Sequence, residues 1–176
     1  TSLGGLVVNK SIRVAGDEMD EAIISYMRLK YGVLIGEPTA EEVKIAIGNA
    51  FPRKNVEEKH YVIRGRDLET GLPKSIKISE AEVREALAPV IQQIIQAVKD
   101  LIESTPPELL SDLLARGIAL TGGGALLSGI DMAIAEATKL PVWVADDPLT
   151  AVVRGTGKVL VDEKLLQRIK VTGGLS

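Results

Sequence analysis

Three consecutive glycines, Gly122, Gly123 and Gly124, are the residues of this sequence best suited to contact a ligand. The apolar run 118–120 before them predicts a buried strand, and apolar residues at helical spacing from 126 to 134 predict a helix after them. A glycine turn between a strand and a helix lets a ligand approach bare backbone at a helix N-terminus. The next residue, Ala125, is small and leaves that approach open.

The triple glycine is a weak motif when it is taken alone. It does not match Gly-x-Gly-x-x-Gly, and no Lys-Ser or Lys-Thr pair follows it to complete a phosphate-binding loop. Glycines that only allow close packing of a strand against a helix are an equal alternative. The small side chains of Thr121 and Ala125 favour the ligand surface modestly.

A second candidate site consists of Glu41, Glu42, Val43 and Lys44. Glu41 and Lys44 are three residues apart, on one face of a predicted helix, and their side chains could hold hydroxyl groups and the edge of a ring. However, Thr39 and Glu42 have the spacing of a capping box, and an ion pair within the helix would explain the rest. The residues by themselves favour this structural alternative.

Two acidic groups also have structural explanations. Asp17 is predicted to cap a helix whose first turn carries the acids of positions 18–21, where the helix dipole favours anions, and a metal site is the less favoured alternative. Asp146 and Asp147 follow a predicted parallel strand, at the edge where α/β sheets bind their ligands. A helix cap is the favoured role of Asp147.

Composition limits the class of protein. The chain has 176 residues, enough for one core with a smaller appendage, and its net charge of -3 without a basic run gives no reason to expect nucleic acid. The absence of cysteine and the single histidine, His60, exclude disulfides and histidine-rich metal sites. No apolar run is long enough to span a bilayer, and no nucleophile has a partnering base. The residues therefore predict a ligand-binding α/β domain without its own catalytic apparatus.

Apolar periodicity predicts the secondary structure. Strands are predicted at 6–8, 12–14, 60–64, 75–78, 118–120 and 142–145, the first two as a hairpin and the last two as a parallel pair with a right-handed crossover. Helices are predicted at 17–31, 39–50, 79–102, 105–116, 126–134 and 147–160. Capping boxes at Ser79 and Thr105 begin two of these helices, and residues 171–176 are predicted to be a frayed end.

Several segments resemble the bacterial actin family MreB, and together they cover essentially the whole chain. The matching segments are 12–21, 36–48, 70–73, 116–124 and 148–155, in the same order as in the family. The resemblance implies the α/β fold of an actin-like ATPase. This fold has a ribonuclease-H-like core and a small inserted α+β subdomain. Residues 1–32 and 80–176 would form the core (subdomain IIA), and residues 33–79 the inserted subdomain (IIB).

The resemblance also implies a function for the parent protein. Members of the family are ATPases that polymerise into filaments in the cytoplasm, at the inner face of the cell membrane, and direct wall synthesis and cell shape in rod-shaped bacteria. Their partners include other copies of themselves, RodZ, MreC and MreD. ATP or ADP with Mg²⁺ lies in a cleft between two domains. By resemblance, Gly122, Gly123, Gly124 and Ala125 would face the adenosine and phosphates, and residues 41–44 would line the adenine and ribose.

The sequence also departs from the family pattern. By resemblance, we expect this chain to lack the family's first domain, with its first phosphate loop and membrane-inserting segment. We also expect an Asp-Ile-Gly-Gly-Gly-Thr loop to lie just before Thr1 in the parent protein. The residues that position Mg²⁺ and the attacking water belong to that missing part, and Pro38 stands where the family usually has a basic residue. We therefore expect a C-terminal half with half a nucleotide site and weak or absent ATP affinity.

Two other functions are alternatives. The chain could be an interaction module that provides a filament contact or docks RodZ without nucleotide activity. A chaperone-type ATPase domain on the same core is less favoured, because its pattern around the adenine site differs from residues 37–41.

Overall fold

The computed structural model describes residues 7–52 and 56–162, which form six α-helices and five β-strands. The helices are α1 (Gly16–Tyr31), α2 (Glu37–Ile47), α3 (Glu80–Glu103), α4 (Pro107–Arg116), α5 (Ile130–Thr138) and α6 (Ala151–Val161). The strands are β1 (Val33–Leu34), β2 (His60–Asp67), β3 (Pro73–Ser79), β4 (Ile118–Leu120) and β5 (Val142–Val144). A short 3-10 helix, Gly123–Leu126, follows β4.

The strands form two sheets within the described residues. β1, β2 and β3 make an antiparallel sheet in which His60 lies opposite Ser79 and Ile63 opposite Ile76. β4 and β5 pair in parallel, with Ala119 opposite Trp143. The predicted ribbon and the predicted parallel pair are both confirmed, although β2 and β3 extend further than the patterns indicated.

The predicted hairpin at 6–8 and 12–14 is wrong for its described part. Residues 7–14 lie outside the helices and strands, and Val7 and Ile12 are exposed. A two-stranded ribbon is marginal unless a third strand or a helix packs on it, and local alternation cannot report whether such a partner exists. The predicted frayed end at 171–176 lies outside the described residues.

One of three predicted capping boxes forms. At the start of α3 the Ser79 hydroxyl accepts a hydrogen bond from the Glu82 amide at 3.4 Å, and the Glu82 carboxylate accepts one from the Ser79 amide at 2.9 Å. The box at Thr39 is wrong because the N-cap of α2 is Gly36, three residues earlier, and Pro38 lies in the first turn. Proline is common in the first turn of a helix because its fixed φ suits a helix. An N–H group at this position would have no partner within the helix, so its absence costs nothing.

The predicted caps of α1 and α4 are also wrong. The N-cap of α1 is Ala15, whose amide donates to the Glu18 carboxylate at 2.7 Å, so Asp17 lies inside the first turn. The N-cap of α4 is Pro106, and the Thr105 hydroxyl instead donates back to the carbonyl of Leu101 at 2.8 Å. The C-terminus of α1 is as predicted, because Gly32 follows Tyr31 with left-handed backbone angles.

An apolar cluster connects α1, α2, α3 and α5 with the larger sheet. Its largest fully buried side chains are those of Ile23, Met27, Val33, Val43, Ile63, Ile78, Val83, Leu87 and Ile134. They come from α1, α2, α3, α5 and all three strands of the antiparallel sheet. The division of the chain into a core and an inserted subdomain at residues 33–79 stays a prediction.

Polar side chains attach the C-terminal end of α1 to the start of α3. Lys30 Nζ lies 2.9 Å from the Glu82 carboxylate and 2.6 Å from the Tyr26 hydroxyl, which donates to Glu85 at 2.6 Å. The Tyr31 hydroxyl also donates to Glu82. Burial alone would raise the pKa of Glu82, but Tyr31, Lys30 and the Ser79 amide together lower it to about 2.

We predict that Glu82→Gln destabilises the chain at neutral pH and that this effect disappears in acid. Because the folded-state pKa of about 2 lies below the ordinary value of 4.5, the ionised Glu82 stabilises the fold above pH 4.5. That stabilisation is lost as the pH falls towards 2. Urea unfolding across this range measures it, with Glu21→Gln, an exposed acid on helix α1, as the control. A difference from wild type that does not change with pH would contradict the prediction.

Candidate functional site

The glycine turn begins where β4 ends. The Gly122 amide donates to the Pro148 carbonyl at 2.8 Å, and the 3-10 helix is closed by the Ala125 amide, which donates to the Gly122 carbonyl at 3.2 Å. The helix predicted directly after the glycines begins only at Ile130, and Leu126, which the pattern placed on its apolar face, is 57% exposed. Successive glycines disfavour an α-helix, so the chain makes a tighter turn first. β4 itself is partly exposed and not a fully buried strand.

The glycines face open space. A Cβ atom added to Gly122 or Gly124 would meet no heavy atom within 4 Å, and one added to Gly123 would only touch the Leu149 side chain at 3.6 Å. Ala125 is buried. Close strand-to-helix packing therefore does not explain Gly122 and Gly124. Gly122 has a φ of 84°, which glycine adopts readily, and the backbone of both glycines lies beside open space.

The segment after the glycine turn lies against the C-terminal end of α2. The Ala50 amide donates to the Ser128 carbonyl at 2.8 Å. Asn49, which is 1% exposed, donates from Nδ2 to the Glu80 carboxylate at 2.5 Å and accepts at Oδ1 from the Phe51 amide at 2.8 Å. Asn49 thus joins the end of α2, the start of α3 and the chain that follows the glycines. Sequence patterns missed it, because nothing local signals that an asparagine is buried.

The second candidate group lies on α2, where its members have different environments. Val43 is fully buried in the core, while Glu41 and Glu42 are exposed. Lys44 does not pair with Glu41. Its Nζ lies 2.7 Å from Asp20 Oδ2 and 3.1 Å from the carbonyl of Gly16, both at the start of α1. An ion pair within α2 therefore does not explain Lys44.

The two candidate groups are connected through the end of α2. A Cβ atom added to Gly48 would lie 3.0 Å from the Leu127 side chain, and Asn49 forms a parallel β-bridge with Ser128. These contacts place the C-terminal end of the helix that carries residues 41–44 beside the segment that follows the glycine turn. The assignment of both groups to a ligand stays a prediction.

The acidic pair after β5 has a local structural role. Asp147 adopts a positive φ of 51°, and its carboxylate accepts a hydrogen bond from the Thr150 hydroxyl. The N-cap of α6 is Thr150, so the predicted cap at Asp147 is wrong and this side chain instead closes the turn before the helix. Asp146 is exposed.

Neither a metal cluster nor the described cavity involves the candidate residues. Within 7–52 and 56–162, no three His, Asp or Glu side chains are close enough together to hold a metal ion. A cavity of about 170 Å³ contains none of the predicted site residues. It is lined by Pro52, Val56, Glu57, Glu58, Glu80, Ala81 and Arg84. In the same part of the chain, no helix has the length and apolar character needed to cross a membrane.

Comparison with solved structures shows that the fold is actin-like. The chain matches the MamK double helical filament with a TM-score of 0.64 at 18% identity over 82% of its length, a likeness of fold alone. The family model of the MreB/Mbl protein matches residues 1–168, and the chain belongs to this family.

Individual relatives agree with this assignment. The chain is 49% identical over 159 residues to cell shape-determining protein MreB of Escherichia coli K12, covering 90% of this chain and 45% of that protein. It is 44% identical over 171 residues to cell shape-determining protein Mbl of Bacillus subtilis, covering 97% and 51%. It also matches MreB5 of Spiroplasma citri bound to ADP with a TM-score of 0.84 at 40% identity, covering 96% and 49%. The chain thus spans about half the length of these relatives.

We predict that Gly129→Ala destabilises the fold by about 1–3 kcal/mol, whereas Gly124→Ala changes stability little. Gly129 has a φ of 74°, and its added Cβ would lie 3.0 Å from both Asn49 Oδ1 and Phe51 Cβ. Gly124 has neither constraint. Urea unfolding of the two variants checks the difference. Equal stability of both variants would show that the segment after the glycine turn is not held against the end of α2.

Proposed function

We propose that this chain forms one wall of a nucleotide site in an actin-like, cell shape-determining protein. The observation that carries the proposal is the open glycine turn. A Cβ atom added to Gly122, Gly123 or Gly124 would clash with no neighbouring atom, so space is left beside their backbone. Bare backbone of this kind allows a phosphate or nucleoside to approach closely. Ala125 is buried and fixes the turn to the protein behind it.

The wall continues on α2, at its exposed residues. Glu41 and Glu42 project carboxylates to solvent, and Val43 anchors the helix in the core. Lys44 is held at the side of the same helix with 15% of its side chain exposed. In this proposal Glu41 and Lys44 contact the ribose and adenine, and the glycines contact the phosphates. MreB5, to which the chain is similar, has been solved bound to ADP and to AMPPNP, and this supports a nucleotide as the ligand.

The rest of the proposed site belongs to residues outside this chain. The chain spans about half the length of its relatives, and its described residues group no carboxylates for Mg²⁺. Mg²⁺ binding and activation of water are therefore assigned to the other half of the parent protein. That protein would bind and hydrolyse ATP and polymerise in the cytoplasm, at the inner face of the membrane. It would direct wall synthesis with RodZ, MreC and MreD and reach the membrane through its first domain.

We predict that the chain binds ADP weakly, with a dissociation constant of about 1 mM or higher, corresponding to about 4 kcal/mol or less. Titration of the ¹⁵N-labelled chain should shift the amide signals of Gly122, Gly123, Gly124 and Lys44. Gly124→Ala should weaken binding further, because its methyl group would occupy the space in which the ligand approaches. Gly157→Ala, whose added Cβ also meets nothing within 4 Å, is the control.

Two results of this titration would contradict the proposal. Submicromolar affinity would mean that the site is more complete than one wall. No shifts at the glycine turn with ADP in large excess would mean that the wall does not bind nucleotide.

A second candidate function, a protein-interaction module, is favoured by exposed apolar side chains around α6. Val152, Val153, Leu160 and Val161 on this helix and Leu149 before it are between 62% and 88% exposed. Exposed apolar residues grouped in this way are typical of interaction surfaces. The candidate contacts are another copy of the protein in a filament, or RodZ.

We predict that the folded chain retains the cytoplasmic domain of RodZ in a pull-down and that Val153→Lys weakens this retention. A lysine in the middle of the apolar group would have to be desolvated in the complex. Ser75→Lys on the exposed face of β3 is the control. Failure of the folded wild-type chain to retain RodZ would contradict the prediction.

A further inference from the structure

The ammonium group of Lys44 is enclosed between α1 and α2. Its Nζ lies 2.7 Å from Asp20 Oδ2 and 3.1 Å from the Gly16 carbonyl, and the side chains of Lys44 and Asp20 are only 15% and 11% exposed. The two partners belong to different helices. Their contact therefore fixes where the ammonium group lies relative to both.

This arrangement is unfavourable for stability in three respects. A cation is placed beside the N-terminus of α1, where the helix dipole favours anions. The ion pair is largely removed from water, which costs both groups their hydration. The second carboxylate oxygen, Asp20 Oδ1, is buried and has no hydrogen-bond partner among the described residues. A buried acceptor without a partner destabilises a fold.

A second ion pair of the same chain shows what a purely structural arrangement looks like. Lys74 Nζ also lies 2.7 Å from a carboxylate oxygen, that of Asp67, in the turn between β2 and β3. The other oxygen of Asp67 accepts hydrogen bonds from the amides of Glu69 and Thr70 at 2.9 and 3.0 Å. Every oxygen of this carboxylate is paired, and the pair stabilises a turn. Asp20 differs in leaving one oxygen unpaired.

We infer that Asp20 is a positioning residue, which holds the Lys44 ammonium group ready for the nucleoside part of a bound nucleotide. A lysine ammonium group has three N–H donors, and two of them are used by Asp20 and Gly16. The third remains for an acceptor on the ligand, such as a ribose hydroxyl oxygen or a ring nitrogen. Without Asp20 the long side chain of Lys44 would sample many rotamers. The loss of conformational entropy when a ligand ordered this side chain would weaken binding. The inference rests on the proposed nucleotide wall.

The test compares three probes, ADP, adenosine and inorganic pyrophosphate, by chemical-shift titration of the ¹⁵N-labelled chain. We expect Asp20→Asn to weaken ADP and adenosine by about tenfold and to leave pyrophosphate unchanged. A general loss of structure would weaken the binding of all three probes, including pyrophosphate. Asp67→Asn, which breaks the fully paired carboxylate, is the matched control and should leave all three probes unchanged.

Lys44→Met adds a second measurement. In that background Asp20→Asn should have no further effect on adenosine, because the group that Asp20 positions is gone. The double variant Asp20→Asn/Lys44→Met removes both charges of the pair and leaves no unpaired buried charge. It therefore keeps the test valid if Asp20→Asn alone does not fold. It should bind adenosine about tenfold more weakly than wild type.

The outcomes separate the inference from the proposed function. Wild-type affinity for adenosine in folded Asp20→Asn overturns the role of Asp20 and leaves the nucleotide wall intact. Wild-type affinity in the double variant overturns the role of Asp20 together with the proposed contact of Lys44, and leaves only the glycine turn in the proposed wall. An equal loss for all three probes also overturns it. No shifts of the wild-type chain with ADP overturn the proposed function, and this inference with it.

Discussion

The buried side-chain amide of Asn49 is the interaction on which the arrangement of the candidate site depends. Its nitrogen donates a hydrogen bond to the Glu80 carboxylate, and its oxygen accepts one from the Phe51 amide. Both bonds lie beside the backbone of Gly129. An amide that is 1% exposed must have both of its polar atoms paired, and few positions of the surrounding backbone satisfy both. The end of α2, the start of α3 and the segment after the glycines are thereby held in one geometry, and the open turn keeps its place beside α2.

Local sequence patterns predicted those elements whose causes are local. The β2–β3 ribbon follows from alternation, the end of α1 from Gly32, and the start of α3 from Ser79 and Glu82. Five other helix starts were predicted wrongly, most of them because several residues compete for the same role. A threonine followed three residues later by a glutamate has the spacing of a capping box, but Pro38 moved the start of α2 towards the N-terminus. The hairpin at 6–14 failed because its stability depends on partners that the pattern does not contain.

The candidate site was predictable in its residue types and not in its geometry. The three consecutive glycines and the group 41–44 could be identified from the sequence directly. The resemblance to a family implied that both groups contact the same ligand. Asp20 was assigned to a helix start, which explains an exposed acid but not a buried one with an unpaired oxygen. Its partner, Lys44, lies on another helix, and no spacing rule connects residues on separate helices. Such contacts follow from tertiary packing alone.

Helix α1 is anchored at both ends by ion pairs of different kinds. Asp20 near its N-terminus binds Lys44 of α2, and Lys30 near its C-terminus binds Glu82 of α3. A helix of 16 residues is about 24 Å long and does not compress along its axis. A displacement of α1 along its axis would therefore change the ion pairs at both of its ends. Through its length, α1 connects the ion pair with α2 to the ion pair at the first turn of α3.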